Sequence, residues 1–131
     1  MVFIHGGAFL TGHAGDFPVA GIVRNLVSRG VVVVTIQYRL GLLGFFTTRT
    51  PDFPANLGLL DQVEALKWVI EEIPNFGGNP YLITLFGQSA GSASVSAHLF
   101  SPISQSLNSF AANFTKFQIF SNRPSWNPGP F

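Results

Sequence analysis

The sequence predicts an α/β chain built on a parallel sheet with helices on its flanks. Three observations carry that expectation. Two short runs, Val31–Ile36 and Leu82–Phe86, are mostly apolar and rich in β-branched or aromatic residues, as strands buried on both faces are. Between them Leu59, Val63, Leu66, Ile70 and Ile73 recur at three- to four-residue spacing, the period of an amphipathic helix. The elements alternate β-α-β-α-β-α, an order that right-handed crossovers turn into a parallel sheet. In such sheets reactive groups gather at the C-terminal ends of the strands.

Taken in order, Val2–Ile4 is a short strand, and His5–Pro18 is a loop carrying Gly6, Gly7, Gly12 and Gly15. Val19–Arg29 reads as a helix, with Ile22, Val23, Leu26 and Val27 on one face and Gly30 as its stop. Val31–Ile36 is the second strand, and Gln37–Ala55 is rich in loop residues, with Gly41, Gly44, Pro51 and Pro54. Asn56–Ile73 is the long helix, which Asn56 can cap and Pro74 ends. Phe76-Gly77-Gly78-Asn79-Pro80 is a turn cluster. Leu82–Phe86 is the third strand, and Ala90–Phe100 is a helix stopped near Pro102. Farther on, Phe110, Phe114 and Phe117 fit one face of a helix, while Lys116–Phe120 also fits a short strand. Pro124, Pro128 and Pro130 predict an irregular tail.

Composition narrows the function classes. A chain of 131 residues with 47% hydrophobic content is one domain able to bury a core. A net charge of +1 favours neither nucleic acid nor an anionic membrane as partner. The absence of cysteine excludes disulfides, thiol catalysis and cysteine-based metal sites. The longest aliphatic run, Val31–Val34, is far short of the roughly 20 apolar residues of a membrane span. The start, Met1-Val2-Phe3-Ile4-His5, lacks the basic residues and apolar stretch of a signal peptide. It reads as the end of a buried strand, so the expectation is a chain that starts inside a domain. Localisation and oligomeric state are left open.

Gly87-Gln88-Ser89-Ala90-Gly91 lies between a strand and a helix, the setting in which G-x-S-x-G forms a sharp turn that exposes a nucleophilic serine. The flanking glycines leave room for the neighbouring strand and helix. The bland alternative is a Gly/Ser-rich turn. A second element weighs against it. In His5-Gly6-Gly7-Ala8-Phe9 the glycines allow backbone N–H groups to turn inward, where with the N–H of Ala90 they could surround an oxyanion. The two elements stand in the expected order, about 80 residues apart.

These two stretches, together with Gln37-Tyr38-Arg39-Leu40-Gly41-Leu42-Leu43-Gly44-Phe45, Asn56-Leu57-Gly58-Leu59-Leu60-Asp61-Gln62 and Phe76-Gly77-Gly78-Asn79-Pro80, resemble the type B carboxylesterases, which include the cholinesterases. The resemblance runs in register from Met1 to about Ile103 and then loosens. It implies a partial α/β-hydrolase fold over residues 1–105, with a parallel core of about three strands and flanking helices. Residues 106–131 match poorly; 106–113 look like an insertion, and one further strand fits before the tail. The resemblance implies a serine carboxylic ester hydrolase acting on a small-molecule ester, with no metal or cofactor. Ser89 would be the nucleophile, and the N–H groups of Gly7, Ala8 and Ala90 the oxyanion donors. Many relatives have Gly where Ala8 stands, and Glu where Gln88 stands, so a weaker preference for cationic substrates is implied. Family members are often secreted or in the secretory pathway. They run to several hundred residues, and only an internal segment is resembled here.

The fold's triad runs Ser, acid, His. After Ser89 this chain has no Asp or Glu, and its only later histidine is His98. Nine residues of continuous helix turn by about 180° and advance about 13 Å, so His98 faces away from Ser89 and reads better as a packing residue than as a base. His5 is expected to orient its loop through a hydrogen bond, and His13 to be exposed. Asp61 and Glu64, with Lys67, read as capping, helix-support and surface charges, with Asp61 tied to Arg39. The expectation is a chain without appreciable activity of its own, since losing the base removes on the order of 10⁶ in turnover. The alternatives are a non-catalytic truncated remnant, or an adhesion-type relative of the same fold. The latter class lacks the serine, so Ser89 argues against it. Asn113-Phe114-Thr115 matches a glycosylation sequon, and the Phe110/Phe114/Phe117 stripe fits either a buried face or an interfacial helix.

Overall fold

The structure, a computed structural model, describes residues 1–107 and the backbone of residues 118–120. Its centre is a parallel sheet in the order β2-β1-β3-β4. The strands are β1 (Val2–Ile4), β2 (Val34–Ile36), β3 (Leu85–Gln88) and β4 (Gln118–Phe120). Val2 pairs with Val34 on one side and Leu85 on the other, and Ile4 with Ile36 and Gly87. Gly87 in turn pairs with Ile119. The strand that comes first in the chain therefore lies inside the sheet, and all three of its side chains are buried. The α/β parallel fold expected from the alternation is the fold observed. The fourth strand comes from the stretch that suited either helix or strand.

The helices are α1 (Val19–Asn25), α2 (Gly41–Phe45), α3 (Leu57–Glu72), α4 (Ala90–Phe100) and α5 (Pro102–Gln105). The core joins Val2, Ile4, Ile36 and Leu85 of the sheet to Leu66 and Val69 of α3, Val95 of α4, and Tyr38, Ile73 and Ile83. Val69, not Ile70, takes the central place on α3, whose buried face also holds Gly58, Gln62, Val63 and Leu66. Among the described residues no helix is long and apolar enough to cross a membrane.

Four elements differ from the sequence reading. The helix expected over Val19–Arg29 breaks at Leu26, where φ is −121°, and continues as a 3₁₀ turn over Val27–Arg29. Gly30 closes it in the left-handed conformation expected of a stop. The second strand is shorter than Val31–Ile36, and Val31–Thr35 are only half-buried because β2 has β1 on one side alone among the described strands. The third strand starts at Leu85 because the Asn79 turn reaches further than its composition suggested. The Asn79 side chain accepts the Tyr81 N–H at 2.9 Å, the Asn79 carbonyl accepts the Leu82 N–H at 3.1 Å, and Leu82 is left 68% exposed. Helix α2 falls inside the segment read as loop.

Asn56 stands at the N-cap of α3 but does not cap it with its side chain. It is left-handed, at φ 62°, and its carbonyl accepts the N–H groups of Leu59 and Leu60 at 2.9 and 3.0 Å. Gly58 follows because a Cβ there would lie 2.5 Å from the Arg39 carbonyl oxygen and 2.7 Å from the Phe45 ring. This contact lets α3 pack against the Arg39–Phe45 segment.

Leu66 is 1% exposed in the core and Leu42 80% exposed on α2. Leu66→Ala should lower unfolding free energy by about 3 kcal/mol in urea titrations. Leu42→Ala should change it by less than about 0.5 kcal/mol.

Candidate active site

Ser89 occupies the single residue between β3 and α4, with φ 55° and ψ −122°. A non-glycine residue held there is strained by on the order of 1–3 kcal/mol. The strain has a geometric result. Ser89 is the N-cap of α4, a position where serine normally accepts a helix N–H with its hydroxyl, yet it makes no such bond. It is exposed, and among the described residues its Oγ has no hydrogen-bond partner.

The glycines on either side are required by close approach. A Cβ on Gly87 would sit 2.5 Å from the Gly91 carbonyl carbon and 2.8 Å from the Ile4 carbonyl oxygen. One on Gly91 would collide with the Ile4 carbonyl oxygen and stand 2.8 Å from that of His5. The first turn of α4 thus lies directly on the end of β1.

The loop after β1 reaches the same place. A Cβ on Gly6 would be 2.5 Å from the Gln88 carbonyl oxygen and 3.1 Å from Ser89 Cβ, so Gly6 lies against the serine. Gly7, Ala8 and Phe9 then follow with φ of 104°, 56° and 61°. Three successive residues of positive φ bend the backbone sharply next to the serine. The Gly7 carbonyl accepts the N–H groups of Leu10 and Thr11 at 2.9 and 3.0 Å. Among the described residues the N–H groups of Gly7 and Ala8 have no backbone acceptor, and Ala90, as the first residue of α4, has none within its helix. Phe9 packs on Phe45 with ring centroids 5.0 Å apart, and its carbonyl accepts the Gly41 N–H at 2.7 Å. These contacts tie the loop to α2.

None of the three histidines is held against Ser89. His5 is 1% exposed; its Nδ1 donates to the Gly6 carbonyl at 2.9 Å, the loop-orienting bond its position suggested. Its ring stacks on Tyr38 at 4.5 Å, and the Tyr38 hydroxyl donates to the His5 carbonyl at 2.8 Å. Burial pushes the Tyr38 phenol up to about 12. Among the described residues His5 Nε2 is buried without a partner. His13 is on the surface, 3.0 Å from Asp16. His98 is 2% exposed between helices, far along α4 from the serine.

His98 belongs to a buried polar chain that the sequence reading missed. Ser104 Oγ donates to His98 Nδ1 at 2.8 Å, and His98 Nε2 to Gln62 Oε1 at 2.8 Å. Gln62 Nε2 donates to Ser94 Oγ at 3.1 Å, and Ser94 Oγ to the Ala90 carbonyl at 3.0 Å. The chain pins α3, α4 and α5 together with every member satisfied. Burial pushes the His98 imidazole down to about 4, so it is neutral at pH 7. The available signal was a polar residue, Gln62, on the apolar face of the long helix.

The carboxylates have partners elsewhere. Asp61 receives Arg39 Nε and a terminal guanidinium nitrogen, both at 2.7 Å, and the Arg39 N–H at 3.0 Å. That pairing holds the Asp61 carboxyl below its ordinary range and raises Arg39 further. Glu64 pairs with Lys67 at 2.7 Å. Among the described residues no group of three or more His, Asp or Glu could hold a metal. An open depression of about 270 Å³, lined by Leu59, Val63, Ala97 and Ile103 among others, lies toward the far end of α4 and does not include Ser89. Asn113 and the Phe110/Phe114/Phe117 stripe fall outside the described residues.

Residues 1–113 match the model of the carboxylesterase family. The acylcarnitine hydrolase of Mus musculus is 52% identical over 107 residues, covering 82% of this chain and 18% of that protein. The cocaine esterase of Homo sapiens is 52% identical over 109 residues, 82% of this chain and 19% of that protein. Gut esterase 1 of Caenorhabditis briggsae is 43% identical over 130 residues, 99% of this chain and 22% of that protein. The chain spans about a fifth of the length of the curated relatives it matches.

The neutral His98 makes stability depend on pH in a defined window. Above its ordinary pKa of 6.5 both folded and unfolded chains hold it neutral. As pH falls from 6.5 toward 4 the unfolded chain takes up a proton that the folded one does not, so stability is lost, by about 3 kcal/mol in all. Urea midpoints measured across this window should fall steeply for the parent, and His98→Gln should flatten the slope.

Proposed function

The chain belongs to the carboxylesterase family, and on that premise we propose that it carries the nucleophile and oxyanion side of a serine ester hydrolase. Ser89 Oγ attacks the carbonyl carbon of a small carboxylic ester. The oxygen that becomes negative is received by the N–H groups of Gly7, Ala8 and Ala90. The alcohol leaves, and water later releases the acid from the acyl-serine. Supporting this reading above all is the withheld hydroxyl. A serine at a helix N-cap is strained to φ 55° and kept from capping, beside a glycine loop whose Gly7 and Ala8 N–H groups lack backbone acceptors among the described residues. A turn with only a structural role gains nothing from that strain.

Each oxyanion donor of this kind contributes about 3–4 kcal/mol to the transition state in a dry site. The proton of Ser89 also needs an acceptor. His5 Nε2, the nitrogen left to accept when Nδ1 donates to Gly6, is buried with no hydrogen bond to Ser89 Oγ, His13 is paired with Asp16, and His98 is buried in its own chain. The proposal therefore places the base and its acid partner outside these 131 residues. Two relatives are named acylcarnitine hydrolase and cocaine esterase, and the substrate proposed here is no finer than a small-molecule carboxylic ester.

Two measurements check the reading. Prolonged incubation with a fluorophosphonate probe, read by peptide mass spectrometry, should modify Ser89 and no other serine; equal modification of Ser89→Ala would sink the assignment. The chain alone should turn over p-nitrophenyl acetate no faster than Ser89→Ala, and a rate well above that variant would show that a base is present after all.

A further inference from the structure

Each donor N–H assigned above belongs to a peptide unit whose carbonyl lies on the preceding residue: Gly6 for Gly7, Gly7 for Ala8, and Ser89 for Ala90. The structure has no cis peptide bond among its described residues, so N–H and C=O point in opposite directions in each unit. Whatever holds the carbonyl therefore aims the N–H.

All three carbonyls are held. Gly7 is held by main chain, through Leu10 and Thr11. Gly6 is held by a side chain, and Ser89 by a side chain together with the Ala93 N–H. His5 Nδ1 donates to the Gly6 carbonyl at 2.9 Å, and Ser92 Oγ to the Ser89 carbonyl at 2.6 Å. We propose that His5 and Ser92 are positioning residues, which grip the Gly6–Gly7 and Ser89–Ala90 peptides at their carbonyl ends and so aim the two N–H groups at the oxyanion. The inference rests on the reading of Ser89 and its donors given above.

The surroundings of both side chains are built around these bonds. The His5 ring is clamped by Tyr38, stacked at 4.5 Å with an interplanar angle of 20°. A Cβ on Gly12 would lie 2.6 Å from the Gly6 carbonyl oxygen and 2.7 Å from His5 Nδ1, so that position is left bare where the bond passes. Donation through Nδ1 fixes the tautomer. Ser92 departs from its helix neighbours. Ser94 and Ser96 each bond the carbonyl four residues back, the habit of helical serine. Ser92 reaches three residues back, to a carbonyl that already receives the Ala93 N–H at 3.1 Å. The Ser89 carbonyl thus has two donors. Donation to a carbonyl also polarises the amide, so the Ala90 N–H becomes a stronger donor.

The test uses the isotopically labelled full chain, the variants His5→Phe, Ser92→Ala and Ser92→Thr, and phenylboronic acid as probe. Boron accepts Ser89 Oγ, the hydroxyl proton passes to solvent, and a tetrahedral anion remains that mimics the oxyanion. His5→Phe should shift the carbonyl carbon resonance of Gly6, and Ser92→Ala that of Ser89. Each should weaken phenylboronic acid binding about tenfold, the loss of one charge-assisted hydrogen bond. Ser92→Thr, which keeps the hydroxyl, should restore both readouts. Unchanged carbonyl shifts or unchanged affinity would overturn the proposal, as would a Ser92→Thr variant as weak as Ser92→Ala, which marks a packing role. Should His5→Phe fail to fold, the Ser92 pair decides. Equal binding by the parent and Ser89→Ala would overturn the reading of Ser89 itself, and the oxyanion part of this inference with it, while the carbonyl shifts still decide whether the two bonds exist.

Discussion

The first turn of α4 touches the end of β1 with no space for a single carbon between them. Gly91 meets the carbonyls of Ile4 and His5, and Gly87 meets Gly91 and Ile4. The rest of the site follows from this approach. Because α4 sits so low on the sheet, the chain must turn from β3 into the helix within one residue, and that residue, Ser89, takes the strained conformation. Because β1 ends at the same level, the loop leaving it passes beside the elbow, and Gly6 lies against Ser89 Cβ. A larger residue at Gly87 or Gly91 would lift the helix and separate the serine from the loop.

Much of this was legible in the sequence. The alternation of apolar runs and an amphipathic helix predicts a parallel α/β sheet, and α4 starts and ends where Ala90 and Phe100 suggested. The two glycine motifs come together as their strand-end positions required. The less legible parts share a physical cause: local composition does not report tertiary neighbours. Val31–Val33 have strand propensity but lie outside the paired stretch that starts at Val34. Leu82 looks like a buried strand residue and is exposed because Asn79 organises the turn before it. Asn56 has the right chemistry for a cap, but its left-handed backbone directs the side chain elsewhere. Helix α2 was hidden by its glycines; Gly44 is there for close packing on the Arg39 carbonyl, not to break the chain.

The support behind the elbow is of two kinds. The sheet and α3 meet through aliphatic side chains, which tolerate small shifts. The contact of α3 with α4 and α5 includes the directed chain from Ser104 through His98, Gln62 and Ser94 to the Ala90 carbonyl. Its links are directed hydrogen bonds from one helix to the next, so the helices are held in register as well as in contact. Removing one member would leave a buried polar atom unpaired, a larger penalty than the bond itself is worth. This explains why polar residues occupy a face that an apolar set could have filled.

The order of strands has a consequence in time. The earliest strand in the chain, β1, is inside the sheet, and its neighbours arrive only with Val34–Ile36 and Leu85–Gln88. Pairings between segments so remote in sequence give high contact order, and closure of such loops is slow. During synthesis β1 can pair with β2 once Val34–Ile36 has emerged, but its second neighbour comes only with Leu85–Gln88. The close approach of Gly91 to Ile4 that accompanies the strained turn at Ser89 needs β1, β3 and α4 all in place, so the turn depends on contacts remote in sequence.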